Sequence, residues 1–263
     1  MKLTSASVLL AGLLVISACK REKENVAPEG GMPASNTTAT KGSFDMRFDN
    51  RVKDKDLDLG NVWYTTDEGD TYRITLFNYY ISNVSFNAAD GSRYAEPESY
   101  HLIKENDPTT QLFRVNNVPA GEYSSVSFTV GVDFYKNIDT LHVGGALDTS
   151  NGMYMGPGKG YVMAMMTGFA PRSSNGALKY HIGGYQGMYN TIKNITLQFK
   201  EPMTINGNSM LVQVNADASK WFDGPNPIDF ATLPVVDTIG PGGRMIAENY
   251  VHMFSIGEHN MQQ

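Results

Sequence analysis

The longest run of strand-forming residues lies at positions 72–86, where the sequence reads YRITLFNYYISNVSF. β-Branched and aromatic residues fill this run, and apolar side chains stand at nearly every position. That composition is typical of a strand that is buried on both faces for part of its length. The run therefore predicts β structure, and the same kind of pattern extends from Ser43 onward.

Shorter strand-like segments follow, with turns between them, at residues 99–103, 112–118, 123–132, 161–169, 178–182, 192–199 and 210–214. Asp90-Gly91 and Asn206-Gly207 are both typical of tight hairpins. One helix is predicted near the end, where Ile246, Tyr250 and Met253 recur at helical spacing. Such a series suggests a sandwich or a barrel. We predict an all-β fold, an antiparallel β-sandwich with a short C-terminal helix, as a single domain over residues 43–263.

The N-terminus has the form of a bacterial lipoprotein signal peptide over residues 1–18. Lys2 precedes an apolar run (VLLAGLLVI, 8–16), and small residues lead to Cys19. The apolar run is too short to span a bilayer, which needs about 20 residues. The ending resembles a lipobox, so we expect lipidation of Cys19 and a membrane anchor through that lipid. The alternative is an ordinary secreted protein with a chance cysteine at the cleavage site.

Residues 19–42 are predicted to form a flexible tether, because they contain charges, Pro, Gly, Ser and Thr and no aromatic residue. The signal peptide and tether place the protein in the cell envelope, on the outer membrane, facing either the periplasm or the surface. The formal net charge of −6 and the lack of a basic stripe argue against nucleic acid as a partner.

Catalytic motifs are not found in this sequence. It has no G-x-S-x-G elbow, and the glycine-rich segment at 152–160 has Gly160 where a phosphate-binding loop needs Ser or Thr. We therefore expect no enzyme activity, and a hydrolase is the least favoured of three functional alternatives.

Soft-metal chemistry is the remaining candidate. Thioether and imidazole ligands suit copper, and thioether ligands suit Cu(I) especially. The chain has five histidines and 14 methionines, and a methionine is also a good filler of gaps in a core. Five of the methionines fall in one short region: Met153, Met155, Met163, Met165 and Met166.

An ordered series of short motifs runs along the chain: YYISNV at 79–84, YHLI at 100–103, VPAGEY at 118–123, GALD at 145–148, NGMY at 151–154, YHIGG at 180–184, WFD at 221–223 and ENY at 248–250. Together and in this order, these motifs resemble the MbnP-like copper-binding protein family over residues 43–259. The tethered, acidic form looks like the Bacteroidetes branch. The resemblance implies an all-β envelope protein that binds copper through histidines and a tryptophan oxidised to kynurenine. It also implies a dihaem peroxidase-like partner that performs this oxidation.

This sequence departs from the family where a tryptophan-rich stretch is expected, before Gly160. It reads MGPGK at 155–159, and only Trp63 and Trp221 remain. Trp221 looks like a core residue or a helix start. Trp63, on a predicted strand, is the candidate for oxidation, although a core aromatic is the simpler interpretation.

Five side chains are the candidate copper ligands, in the order His181, His101, His142, Met153 and Met155. His181 lies between two apolar neighbours, so its side chain points to the opposite face of its strand. His101 has the same local setting, and His142 could reach from a loop. Copper capture or transfer is the first predicted function. The alternative is a metal-free binding or assembly module of the outer membrane that recognises a partner protein or a nutrient. An outer-membrane transporter is a further candidate partner.

Overall fold

Two β-sheets contain nearly all the regular structure in residues 40–139 and 142–257, which are the residues that the computed structural model describes. The predicted signal peptide, Cys19 and most of the predicted tether lie outside these residues. Lys41 and Gly42 belong to the first strand, so strand structure begins two residues before the predicted end of the tether.

The smaller sheet, within the described residues, has five strands: β1 (Lys41–Val52), β2 (Lys55–Asp56), β7 (Leu112–Pro119), β12 (Ser209–Asp217) and β14 (Phe254–Ile256). Its order is β14-β12-β1-β2, and β7 also pairs with β1. β1 and β12 run parallel, in a register that pairs Ser43 with Ser209 and Arg51 with Asp217.

The larger sheet has nine strands in the same part of the chain: β3 (Tyr64–Thr65), β4 (Thr71–Ala88), β5 (Arg93–Ala95), β6 (Tyr100–Lys104), β8 (Gly121–Val130), β9 (Val162–Phe169), β10 (Ala177–Gly183), β11 (Lys193–Ile205) and β13 (Val235–Val236). Its order is β11-β8-β4-β9-β10-β13, and β3, β5 and β6 also pair with β4. β4 is the predicted buried strand, and it pairs with β9 along its first half and with β8 along its second half.

The main core fills the space between the two sheets and is rich in aromatic rings. Phe44 of β1 stacks on Phe86 of β4, with ring centroids 3.9 Å apart. Trp221 is fully buried and meets Phe77 edge-on at 5.7 Å. Aromatic pairs of this kind add about 0.5–1.5 kcal/mol each beyond the area that they bury. The prediction of Trp221 as a core residue is confirmed.

Two α-helices are present in the described residues, α1 (Phe134–Ile138) and α2 (Pro241–Tyr250). α2 is the predicted C-terminal helix, with Pro241 in its first turn, where a missing N–H costs nothing. α1 was not predicted, because its five residues are too few to show a helical period. It starts at Asp133, whose carboxylate accepts a hydrogen bond from the Lys136 amide, and it leads into the loops above the larger sheet.

The all-β prediction is confirmed. The observed sandwich differs from the predicted one in the direction of two strand pairs and in one predicted hairpin. β1–β12 and β10–β13 are parallel pairs in a fold that is otherwise antiparallel in the described residues. Asp90-Gly91 joins the paired strands β4 and β5, as a hairpin should. Asn206-Gly207 does not form a hairpin, because it connects β11 of the larger sheet to β12 of the smaller one. β12 pairs with β1 instead, so this turn crosses between the layers.

Candidate metal site

The outer face of the larger sheet, on the side away from the main core, carries a second apolar cluster. Alternation along β9 turns Ala164 and Met166 toward the main core, and Met163 and Met165 toward this outer face. We call it the outer cluster; its buried members are Tyr80, Leu102, Val132, Leu147, Met153, Tyr161, Val162, Met163, Met165 and Tyr185. Loops between α1 and β9 contribute Leu147 and Met153, so these loops cover part of the face.

His181 lies on β10 at the edge of the outer cluster. Tyr180 and Ile182 are fully buried in the main core, so the His181 side chain points to the outer face, as predicted. Its Cα partner on β9 is Met165, a buried member of the outer cluster. Burial lowers the pKa of His181, and the charge of Lys179 lowers it further. This lowered pKa favours the neutral imidazole, which is the form that binds metals.

Met155 supplies a second thioether that packs against β10 at Gly183, near His181 in sequence. Its terminal methyl group occupies the space that a side chain at position 183 would need, two residues beyond His181 on β10. Gly183 therefore leaves room for a close approach, and the group that approaches is Met155. The backbone amide of Met155 donates to the Gly160 carbonyl at 2.9 Å, which fixes the loop at this point.

Asn78 extends this row onto a third strand. It is the Cα partner of Met165 on β4, so His181, Met165 and Asn78 lie side by side across β10, β9 and β4. Its Oδ1 atom is buried and accepts no hydrogen bond in the part of the chain that the structure describes. A buried acceptor without a partner is costly, and a cation beside Met165 would satisfy it. The thioethers and the imidazole fit a soft metal ion, and the hard amide oxygen of Asn78 adds a favourable dipole for a positive charge.

Met153 and Met163 belong to the outer cluster but differ from Met155 and Met165 in their surroundings. Met153 is almost fully buried, and its carbonyl accepts from the Val162 amide at 2.9 Å. The sulfur of Met163 already accepts from the Val132 amide at 3.2 Å. Among the predicted methionines, Met155 is thus the one beside His181, and Met153 lies deeper in the packing.

His142 lies in the loop over the outer cluster. Its Nε2 atom is 3.2 Å from the carbonyl oxygen of Lys136, and its ring centroid is 6.0 Å from that of Tyr161. The structure therefore places His142 and His181 on the same side of the larger sheet, with His142 held by a backbone group.

His101 lies on the other side of β6 from the outer cluster. Leu102 packs in the outer cluster and Ile103 in the main core, so alternation puts His101 on the face of Ile103. Its ring stacks on Phe113 with centroids 3.5 Å apart, and its Nε2 lies 2.9 Å from a Glu96 carboxylate oxygen. The structure does not bring His101 together with His181, because the sheet lies between their side chains.

Trp63 is not on a strand but in the loop just before β3, and it is about half exposed. The Arg73 guanidinium lies over its ring, with Cζ 5.0 Å from the centroid. Trp63 is thus on the outer face but outside the outer cluster.

Sequence reasoning did not select Met165 or Asn78 as site residues. Met165 stands in a run that is apolar at every position from Tyr161 to Met166, so the sequence gives no sign of which methionine faces which layer. In residues 40–139 and 142–257, no three His, Cys, Asp or Glu side chains gather as a metal-binding group. The soft donors of the site are one imidazole and thioethers.

The family model for MbnP matches residues 41–239, which is most of the chain. The chain therefore belongs to the MbnP family. This membership confirms the predicted resemblance and relates the chain to copper proteins.

The fold is also that of a solved member of the MbnP family. MbnP from Methylosinus trichosporium superposes with a TM-score of 0.52 at 10% identity, over 83% of this chain and 99% of that one. At this identity the likeness concerns the fold alone. No curated protein matches the chain. None of the helices in the described residues is long and apolar enough to cross a membrane.

Proposed function

We propose that this protein is a lipid-anchored lipoprotein of the cell envelope that binds copper on the outer face of its larger sheet, for capture or transfer. The observation that carries the proposal is the row formed by His181 and Met165, with Met155 packed over Gly183 beside it. Membership of the MbnP family supports copper as the metal.

Copper would be held in this site by one neutral imidazole and two thioethers, ligands that favour Cu(I) over harder cations. His181 provides the nitrogen, and Met155 and Met165 provide the sulfurs. The orphaned Asn78 Oδ1 lies on the neighbouring strand and lowers the cost of a positive charge there. The task is one of binding rather than of catalysis, so we propose no enzyme activity.

Copper titration of the exported protein tests this proposal, with Cu(I) and with Cu(II). We expect His181→Ala to lose binding and His101→Ala, the matched control from the other side of the sheet, to keep it. Circular dichroism checks that all three proteins are folded. If wild type and His181→Ala bind copper with equal stoichiometry and affinity, His181 is not a ligand. If wild type binds neither ion, the metal-free binding or assembly module becomes the better proposal.

The anchor is proposed from the sequence alone, because the lipobox ends at Cys19. Cys19→Ala should abolish lipid modification and move the protein from the detergent phase to the aqueous phase, since each buried methylene of an acyl chain contributes about 0.8 kcal/mol to membrane binding. Equal partitioning of wild type and variant would contradict a lipid anchor. Protease treatment of intact cells distinguishes the periplasmic from the surface-facing orientation.

Two partners remain proposals, a dihaem peroxidase-like protein and an outer-membrane transporter. The first would act on a tryptophan, and Trp63 is the exposed one. Mass spectrometry of the peptide that contains Trp63, from natively exported protein, tests this route. A kynurenine at position 63 supports it, and an unmodified tryptophan contradicts it for this chain.

A further inference from the structure

Beside the outer cluster, the outer face carries a second group of packed side chains, which consists of Trp63, Arg73 and Phe169. Arg73 of β4 and Phe169 of β9 are Cα partners. The Arg73 Cζ atom is 5.0 Å from the Trp63 ring centroid and 5.1 Å from that of Phe169, so two aromatic rings flank one guanidinium. We call these three residues the arginine patch.

The loop that carries Trp63 is fixed to β4. The Gly60 amide donates to the Ile74 carbonyl at 2.8 Å, and the Asn61 side chain donates to Asp58 at 2.7 Å. Tyr64, next to Trp63, is buried. β4 has a register irregularity between Ile74 and Leu76, immediately after Arg73, and such bulges re-aim the side chains near them. The arginine patch is therefore held in place before anything binds to it.

The guanidinium of Arg73 has hydrogen-bonding capacity to spare. Its Nε atom is buried without a hydrogen-bond partner among the described residues, so a ligand cannot reach that atom. In the same part of the chain the two Nη atoms make no hydrogen bond and are not buried, so they form the edge that a ligand can reach. No carboxylate forms an ion pair with Arg73 in that part of the chain. A guanidinium stacked against aromatic rings presents its planar fork to a carboxylate, which can accept two parallel hydrogen bonds.

The two rings are exposed to an extent that a purely structural role does not require. Trp63 is 48% and Phe169 is 45% exposed, and Val62 beside them is exposed as well. Tryptophan and arginine are enriched among the residues that dominate protein–protein binding energy. Arg73 forms no ion pair in the described residues, so its charge is available to attract a carboxylate.

We propose that the arginine patch recognises a carboxylate-bearing segment of a partner protein, an Asp or Glu side chain flanked by uncharged residues. The Arg73 guanidinium donates hydrogen bonds to the carboxylate, and the Trp63 and Phe169 rings pack against the flanking residues.

The arginine patch lies on the same face as the candidate copper site. Phe169 and Met165 are four residues apart on β9 and point the same way, which places them about 13 Å apart along the strand. A protein seated on the patch would therefore also cover His181. The partner is thus the protein that delivers or receives the metal, and this last step rests on the proposed copper function, whereas carboxylate recognition does not.

Tryptophan fluorescence tests the proposal directly, on metal-free protein in which mass spectrometry shows Trp63 to be unmodified. The chain has two tryptophans and Trp221 is fully buried, so quenching of emission by acrylamide reports on Trp63. The probe is a pool of short, end-blocked peptides with Asp or Glu at the centre and uncharged residues elsewhere. A matched pool has Asn or Gln at the centre. We expect the acidic pool to protect Trp63 from acrylamide, the neutral pool to protect it far less, and added salt to weaken the protection.

Variants of the patch sharpen this test. Arg73→Gln should abolish protection, and Arg73→Lys should weaken it about tenfold, equivalent to about 1.4 kcal/mol, because lysine keeps the charge but lacks the fork. Arg93→Gln, on the exposed strand β5, is the control and should leave protection unchanged. Equal protection by the two pools, no protection by either, or full protection in folded Arg73→Gln would overturn the proposal. Copper titration of Arg73→Gln should match wild type, so a failure of the copper function would appear in that assay and not in the peptide assay.

Discussion

β6 and β10 carry nearly the same tripeptide, Tyr100-His101-Leu102 and Tyr180-His181-Ile182, yet they present its histidine to opposite sides of the larger sheet. On β10 the tyrosine and isoleucine enter the main core, and His181 points to the outer face, where its Cα partner is Met165. On β6 Leu102 enters the outer cluster instead, and His101 meets Phe113 and Glu96.

The difference shows what local sequence can determine in a strand. It determines that neighbouring side chains point to opposite faces, but it does not determine which of the two faces each side chain occupies. Both faces of the larger sheet are covered by apolar residues near these strands, so either face can accept the large side chains of the tripeptide. The partners across the strand pairs then decide what each histidine does. His101 has an aromatic ring and a carboxylate, whereas His181 has soft sulfur atoms.

The largest expected effect comes from separating the two faces of β10. Ile182→Ala opens a cavity in the main core and should lower the free energy of unfolding by about 2–5 kcal/mol. His181→Ala, one residue away on the half-buried outer face, should lower it far less. Urea unfolding of both variants measures the difference. If His181→Ala lowered the free energy of unfolding as much as Ile182→Ala does, His181 would be a core residue and not an available ligand.

The next effect concerns the two thioethers beside His181. Met155→Leu and Met165→Leu keep the volume nearly constant, so stability should change by less than about 1.5 kcal/mol. Each loses a sulfur donor, so affinity for Cu(I) should fall about tenfold, while affinity for Cu(II), which prefers harder ligands, should change less. Competition with a chelator specific for each oxidation state gives both affinities. Met188→Leu, an exposed methionine outside the cluster, is the control.

An effect of similar size, on stability and not on copper affinity, is expected on the β6 side. His101→Ala removes the stack on Phe113 and the contact with Glu96, so the free energy of unfolding should fall by about 1–2 kcal/mol. Copper affinity should not change, because the sheet separates His101 from the candidate site. A loss of copper binding in folded His101→Ala would show that the two histidines act together, contrary to their placement.

Much of the fold could be predicted from the sequence, because period-2 patterns and turn residues act locally. β4 extends the run predicted at 72–86 by one residue before it and two after it. The direction of His181 followed from its two apolar neighbours. Met165 could not be found in this way, because the run around it is apolar on both faces. The crossing turn at Asn206-Gly207 could not be found either, since the pairing of β12 with β1 joins residues more than 160 positions apart, such as Ser43 and Ser209.

The smallest expected effect is a shift in the pH dependence of copper binding. An imidazole of ordinary pKa, about 6.5, would begin to lose metal to protons near that pH. Burial lowers the pKa of His181, and so does Lys179, so protons compete less well and the loss of affinity should begin below pH 6.5.

Asp237, which pairs with Lys179 at 3.2 Å, acts on the pKa of His181 in the opposite direction. Asp237→Asn should therefore move the onset to lower pH, and Lys179→Gln should move it to higher pH, each by less than the shift that burial causes. Copper affinity measured from neutral to acid pH gives the onset for wild type and both variants. An onset above pH 6.5, or shifts of the opposite sign, would show that another group than His181 controls binding.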